Sequence, residues 1–140
     1  MSTTRCFLIA SSLARLIHRE QGGTRVMEGY FHSQSRRSLY VRVERETGSL
    51  ILVTEQAGTT FLEERTEVPR THAEALLDVA AGKVTYARSG LNIGGQDIFI
   101  DRFTTPAPLD LIAVEFTDEA EAHSFTPPPW FVVREELPRL

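Results

Sequence analysis

Residues 59–69 read TTFLEERTEVP, and three charged side chains, Glu63, Arg65 and Glu67, stand at every second position of the stretch. Alternate side chains of a β-strand project to the same face, so in a strand these three charges lie together. Pro69 then ends the strand. The charged face is either solvated surface or the lining of a charged interior, and the strand by itself is compatible with both.

Length and composition indicate one soluble globular domain spanning residues 1–140. Of the 140 residues, 41% are hydrophobic and 24% charged, and no repeat, low-complexity tract or linker divides them. The net charge of -4 argues against a nucleic-acid partner, yet it permits a small anion held by a few arginines. The single cysteine, Cys6, suits a reducing, cytoplasmic compartment, and no apolar run approaches a membrane span.

The chain on either side of the opening stretch indicates many short strands. The alternating segment 38–46 is followed by the turn residues 47–49 and by the apolar segment 50–56, a pattern typical of a hairpin. Segments 83–91 and 96–103 flank a Gly-Gly turn in the same way. Short connections imply antiparallel pairing, and eight or nine strands in this length must form a barrel or a sandwich.

We favour an α+β fold in which an eight- or nine-stranded antiparallel barrel carries a few flanking helices. Charges recur on alternate positions of strands whose other face is apolar, so helices outside could cover the apolar face. The opposite arrangement, with apolar side chains inside and charges in water, stays open. For the helices, we expect Ser11 or Ser12 to cap the first, and Thr71 with Glu74 to form a capping box on the second.

The order of these pieces resembles the CYTH family, the triphosphate tunnel metalloenzymes. The resemblance covers nearly the whole chain and rests on these segments in order: CFLIA (6–10), GYF (29–31), LYVRVE (39–44), ERTEVP (64–69), YARSG (86–90), IDRF (100–103), LIAVEF (111–116) and PPPW (127–130). The resemblance implies a barrel with a charged tunnel. In such a tunnel basic side chains hold a triphosphate, and glutamates bind Mg²⁺ or Mn²⁺ that activates a water.

The family's N-terminal motif is not retained. The Glu-x-Glu-x-Lys of the first strand falls on Ser2, Thr4 and Cys6, so two metal-binding carboxylates and a lysine are absent. Other tunnel positions carry altered residues: Glu44, Glu55, Phe61, Tyr86 and Ala113. On the last strand the tunnel glutamate corresponds to Arg134 or Glu135.

Some tunnel positions keep residues able to bind an anion or a metal. The resemblance implies that Arg42, Arg65 and Arg88 contact a phosphate or another anion. It also implies that the residues available for Mg²⁺ or Mn²⁺ are Glu63, Glu67 and Glu115. Three arginines among so many carboxylates match a triphosphate poorly without metals.

Three functional classes follow from this pattern. We favour a pseudoenzyme that binds a small phosphorylated or anionic ligand and has weak or lost hydrolytic activity. The alternatives are an active metal-dependent triphosphate phosphohydrolase and an interaction protein that keeps only the fold. The last stays open because a shared fold does not establish an activity. Exposed edges of a partly open barrel would also allow a homodimer.

Overall fold

A computed structural model describes residues 2–34, 36–55, 61–131 and 135–136. Within these residues the strands and helices follow in the order β1 (Ser2–Leu8), α1 (Ser11–Gln21), β2 (Thr24–Tyr30), β3 (Arg37–Glu44), β4 (Thr47–Glu55), β5 (Phe61–Val68), α2 (Arg70–Asp78), β6 (Gly82–Ile93), β7 (Gln96–Thr105), β8 (Leu109–Phe116), α3 (Glu119–Ser124) and β9 (Glu135–Glu136). No helix in these ranges is long and apolar enough to cross a membrane.

Eight antiparallel strands close into a barrel, which confirms the predicted fold class. Around the ring the order is β5, β4, β3, β2, β6, β7, β8 and β1. The ring closes where β1 pairs with β5, with Ser2 opposite Glu63 and Thr4 opposite Phe61. The short β9 pairs with β1 further along, opposite Cys6 and Phe7. The closed ring differs from the partly open barrel on which the homodimer hypothesis rested, and that hypothesis stays a prediction.

The helices cover the outside of the barrel. Beneath α1 and α3 lies a core that includes Phe7, Ile98, Ile112 and Phe131, and α2 covers Val41 and Val43 with its own Ala73 and Leu77. Along β3 these outward valines alternate with Tyr40 and Arg42, which therefore point inward. The apolar face is thus outside beneath helices, and the charged positions of several strands lie inside.

Apolar side chains also fill part of the interior. One group consists of Tyr30, Tyr40, Ile51, Val53 and Phe61, and a second consists of Val26, Tyr86, Phe103 and Leu111. Burying this apolar area stabilises the barrel from within by roughly 25 cal/mol for each Å² removed from water. The interior is therefore a packed core that holds a few charged groups.

The predicted caps of the first two helices are wrong. Helix α1 begins after Ala10, and α2 begins directly after Pro69, in both cases without a side-chain cap. Since β5 runs up to Val68, Pro69 alone turns the chain into α2, and Thr71 and Glu74 then lie inside the helix. The capping box requires Thr71 to precede the helix, and it does not.

Candidate functional site

A small cavity inside the barrel brings together many of the positions that the resemblance singled out. Its volume is about 10 Å³, enough for roughly one water-sized group, and it is partly open to solvent. Its lining residues are Thr4, Cys6, Tyr30, Tyr40, Arg42, Val53, Glu63, Arg88, Ala113 and Glu115. Of the three predicted anion ligands, Arg42 and Arg88 reach this cavity.

Arg42 is held by a buried carboxylate. Its Nε donates to Oε2 of Glu28 at 2.8 Å, and its Nη2 donates to the Tyr40 hydroxyl at 3.2 Å. The hydroxyls of Tyr30 and Tyr86 also donate to the Glu28 carboxylate, which is completely buried. A buried carboxylate surrounded by a guanidinium and two hydroxyls is well compensated for its loss of water.

Arg88 forms a second ion pair, across the β6–β7 hairpin. Its Nε lies 2.7 Å from Oδ1 of Asp101 and its Nη2 lies 2.8 Å from Oδ2, a bidentate arrangement. The guanidinium also stacks near Phe99, with 4.6 Å from Cζ to the ring centroid. Asp101 itself is completely buried.

Electrostatics keep Arg88 charged. Burial alone would lower the pKa of Arg88, but the negative charge of Asp101, with a smaller contribution from Tyr86, outweighs it and raises the pKa above its ordinary value. Arg42 acts in the opposite direction, because the two guanidinium groups lie within electrostatic reach of each other. The arginines are therefore neighbours that share one cavity, and each has its own counter-ion.

The two counter-ions, Glu28 and Asp101, were missed by the sequence analysis. Each is a charge flanked by hydrophobic or aromatic residues at the neighbouring alternate positions: Glu28 stands between Val26 and Tyr30, and Asp101 stands between Phe99 and Phe103. A charge in such a row is the signal that could have identified them, because a buried carboxylate needs a partner.

The three charges of the opening stretch do not share one environment. Glu63 is half-buried and lines the cavity, whereas Arg65 and Glu67 are exposed. Beyond Glu63, β5 pairs only with β4, because β1 begins at Ser2, opposite Glu63. The expectation that all three line the interior is therefore corrected: only Glu63 does, and the other two extend past the closed part of the ring.

The family's metal fits the chain's own residues poorly. Mg²⁺ and Mn²⁺ prefer several hard oxygen ligands. Among the described residues that line the cavity, only Glu63 and Glu115 supply carboxylates, and Glu67 is exposed. Among the residues that the structure describes, no group of three or more His, Cys, Asp and Glu side chains could hold a metal ion.

Thr4 and Cys6 occupy two of the three lost motif positions, and both line the cavity. The Thr4 hydroxyl oxygen is buried and has no hydrogen-bond partner among the residues that the structure describes. Elsewhere, Glu55 forms an exposed ion pair with Arg36, with 3.3 Å between Oε2 and Nε. Arg134 lies outside the described residues, and the side chain of Glu135 is likewise not described.

The chain matches no protein-family model and no curated protein. Among solved structures it is similar to the inorganic triphosphatase NE1496, with 26% sequence identity and a TM-score of 0.54 over 96% of this chain and 85% of that one. It also resembles a Bacillus halodurans protein provisionally named an adenylate cyclase, with 14% identity and a TM-score of 0.66 over 86% of this chain and 82% of the other.

A Pyrococcus horikoshii protein shows a similar degree of likeness, with a TM-score of 0.66 at 16% identity over 88% of this chain and 84% of that one. Because the sequence identities to the Bacillus halodurans and Pyrococcus horikoshii proteins are low, these two similarities concern the fold alone. Together with the order of the sequence motifs, these matches confirm the resemblance stated above. The chain is a divergent CYTH-like protein, with the barrel of the triphosphate tunnel enzymes and without their N-terminal Glu-x-Glu-x-Lys motif.

Proposed function

We propose that this barrel binds a small phosphorylated or otherwise anionic ligand at its interior cavity and hydrolyses triphosphate weakly or not at all. One observation carries the proposal: Arg42 and Arg88 reach the same partly open cavity, where the buried Thr4 hydroxyl has no partner among the described residues. The similarity to a protein named as an inorganic triphosphatase supports a phosphorylated ligand.

The paired arginines keep some capacity to bind an anion. A guanidinium has five N–H donors, and the bidentate pair with Asp101 uses only one from Nε and one from Nη2 of Arg88. Arginine is well suited to phosphate because its planar donors match the phosphate oxygens. The Thr4 hydroxyl can donate a further hydrogen bond from the opposite wall of the cavity.

Charge and volume both argue against triphosphate as the ligand. Each arginine is already offset by a buried carboxylate, and Glu63 and Glu115 add two further acidic groups to the wall. A chain of three phosphates brings several negative charges, which the described interior does not neutralise. The cavity of about 10 Å³ admits only one water-sized group, so most of the ligand must remain on the open side.

Residues that the family uses for hydrolysis are also missing from this chain. Thr4 and Cys6 stand where the family supplies a metal-binding carboxylate and the lysine assigned to water activation. Neither can replace that chemistry directly, because a threonine hydroxyl is a weak metal ligand and Cys6 is completely buried. The residues at these two positions therefore favour binding of a ligand over its hydrolysis.

A second candidate is a protein that keeps the barrel as a scaffold and acts through its surface. The pairing of each buried arginine with one buried carboxylate favours it, because such pairs complete an interior without any ligand. The two candidates differ in one measurable property, the affinity of the cavity for an anion.

Calorimetric titration with inorganic phosphate and ethyl phosphate tests the proposal. The informative variant is Arg88→Met with Asp101→Asn, which removes the pair and leaves no unpaired buried charge. The matched control is Arg102→Met with Asp110→Asn, a pair between β7 and β8 whose Nε and Oδ1 atoms are 2.9 Å apart and which does not line the cavity. We expect the first double variant to bind at least about tenfold more weakly and the control to bind normally. Equal binding by all three proteins, or binding by none, would overturn the proposal.

A further inference from the structure

Glu115 lies across the cavity from Arg42. In the ring of eight strands, β8 and β3 are four strands apart in either direction, so they face each other. Glu115 is on β8, Arg42 is on β3, and both line the cavity. Arg88 on β6 reaches the same cavity, whose volume is about 10 Å³. Since so small a cavity admits only one compact group, an anion held by the arginines also meets the Glu115 carboxylate.

Thr4 is the neighbour of Glu115 on its wall of the cavity. The register of β1 and β8 places the two residues opposite each other, and both line the cavity. Only 5% of Thr4 is exposed, and its hydroxyl oxygen has no hydrogen-bond partner among the described residues. Leaving a buried hydroxyl unsatisfied is unfavourable, so this position indicates that a polar group from outside the chain completes it.

The Glu115 carboxylate also has no partner in the described part of the chain. The backbone carbonyl of Glu115 accepts a hydrogen bond from Nε2 of Gln96, but the carboxylate oxygens accept none from these residues. The adjacent Thr4 hydroxyl does not donate to it. Because a carboxylate accepts hydrogen bonds and donates none, a ligand completes this wall only if it brings a donor.

An oxyanion without a proton fits such a wall poorly. Its oxygens only accept hydrogen bonds, so the oxygen that meets Glu115 gains no hydrogen bond and is repelled by the like charge. An oxyanion with one O–H group avoids this, because the O–H donates to the carboxylate while the other oxygens accept from Arg88 and from the Thr4 hydroxyl. The preference depends on this one contact and is independent of the total charge of the cavity.

We infer that the ligand binds through a phosphoryl group that carries a proton, with its P–OH donating to Glu115 and its other oxygens accepting from Arg88 and Thr4. The inference rests on the proposed function and narrows it from an anion to a proton-bearing oxyanion. Inorganic phosphate keeps at least one proton near neutral pH, and so does the singly charged form of a phosphate monoester, whose last proton dissociates with a pKa of about 6. Sulfate has the shape and the double charge of monohydrogen phosphate without the proton, so the site discriminates against it.

The test compares inorganic phosphate with sulfate by calorimetric titration at neutral pH. EDTA is present, so that no metal ion bridges the anion and Glu115. We expect phosphate to bind at least about tenfold more tightly than sulfate. Ethyl phosphate, titrated alongside, separates two sources of the same group: binding equal to that of phosphate indicates an ester whose organic part lies on the open side, and weaker binding indicates the free ion. Either result agrees with the inference when sulfate binds more weakly than inorganic phosphate.

Glu115→Gln is the informative variant. Its amide NH2 can donate to an unprotonated oxygen, so sulfate should bind more tightly and the preference should fall below about threefold. Glu64→Gln is the matched control, because it removes the same charge from an exposed position of β5 that does not line the cavity, and it should keep the full preference. Thr4→Val removes a donor that both anions use, so it should weaken both and leave their ratio unchanged.

The outcomes separate this inference from the proposed function. If phosphate and sulfate bind the natural chain equally, or if the preference survives in Glu115→Gln, the inference is overturned and anion binding stands. If none of the three anions binds, the proposed function fails with it. Should Glu115→Gln not fold, the natural chain is titrated with methylphosphonate and methanesulfonate, which are similar in shape and of which only methylphosphonate keeps an O–H group. Equal binding of these two would overturn the inference.

Discussion

Arg88 and Asp101 face each other across the β6–β7 hairpin as a bidentate ion pair, with 2.7 Å from Nε to Oδ1 and 2.8 Å from Nη2 to Oδ2. Asp101 is completely buried, whereas the Arg88 side chain is partly exposed and lines the cavity. A second ion pair, Arg42–Glu28, joins β3 and β2, with 2.8 Å from Nε to Oε2. The barrel thus keeps two arginines at tunnel positions and neutralises each with a carboxylate of its own.

Removing one partner of such a pair should be costly. In the Arg42→Met variant, Glu28 stays buried without its guanidinium, and we expect the free energy of unfolding to fall by about 3–5 kcal/mol. Adding Glu28→Gln should recover part of the loss, because the amide carries no charge: its oxygen can accept from one of the Tyr30 and Tyr86 hydroxyls, and its NH2 group can donate to the other. Urea unfolding followed by circular dichroism measures both variants. A loss below about 1 kcal/mol in the single variant would show that Glu28 does not depend on Arg42.

The Arg88→Met variant should acquire a new pH dependence. Without the guanidinium, burial disfavours the charged form of Asp101, so the folded variant binds a proton more readily than the unfolded chain. Its free energy of unfolding should then fall as the pH rises from about 5 to 8. In the natural chain the pKa of Arg88 is raised. The guanidinium therefore contributes fully to the free energy of unfolding at any pH below the pKa of the unfolded arginine, and this contribution is lost only at more alkaline pH.

The control for this pH dependence is Arg88→Met with Asp101→Asn, which has no buried acid to titrate at that position. Urea unfolding at several pH values compares the two variants. If their free energies of unfolding run parallel across the range, Asp101 does not become protonated in the folded variant and the account of the pair is wrong.

Helix α2 packs against β4 at a glycine. A Cβ atom at Gly48 would lie 2.7 Å from the Cβ of Ala73 and 2.9 Å from the carbonyl oxygen of Val68. We expect Gly48→Ala to lower the free energy of unfolding by about 1–3 kcal/mol, because the helix must move outward. At Gly90 the nearest atom, on Phe99, would be 3.7 Å away, so Gly90→Ala is the matched control. Equal melting temperatures for the two variants would contradict this packing.

Local sequence patterns carried enough information for the fold and for part of the site. The alternation in segment 38–46 identified Arg42 as a member of one strand face, and the interior position of Arg88 followed from the resemblance. Both side chains reach the cavity. Strand periodicity depends only on neighbours along the chain, which is why it can be read without a structure.

Other features depend on how strands pair, and no local pattern contains that information. Arg65 and Glu67 have the same period as Glu63, yet they are exposed because β1 pairs with β5 only up to Glu63. Glu28 meets Arg42 because the register of β2 and β3 places them directly opposite. The second arginine's partner, Asp101, is likewise set by the register of a hairpin.

We propose that the chain retains the barrel of the triphosphate tunnel enzymes while its interior favours binding over triphosphate hydrolysis. The most direct measurement is phosphate release from inorganic triphosphate with Mg²⁺ and with Mn²⁺, for the natural chain and for the Glu63→Gln, Glu115→Gln variant. We predict the same background rate for both proteins, because the two carboxylates provide too few ligands for a catalytic metal. Metal-dependent release by the natural chain that disappears in the variant would contradict the claim and identify an active triphosphatase.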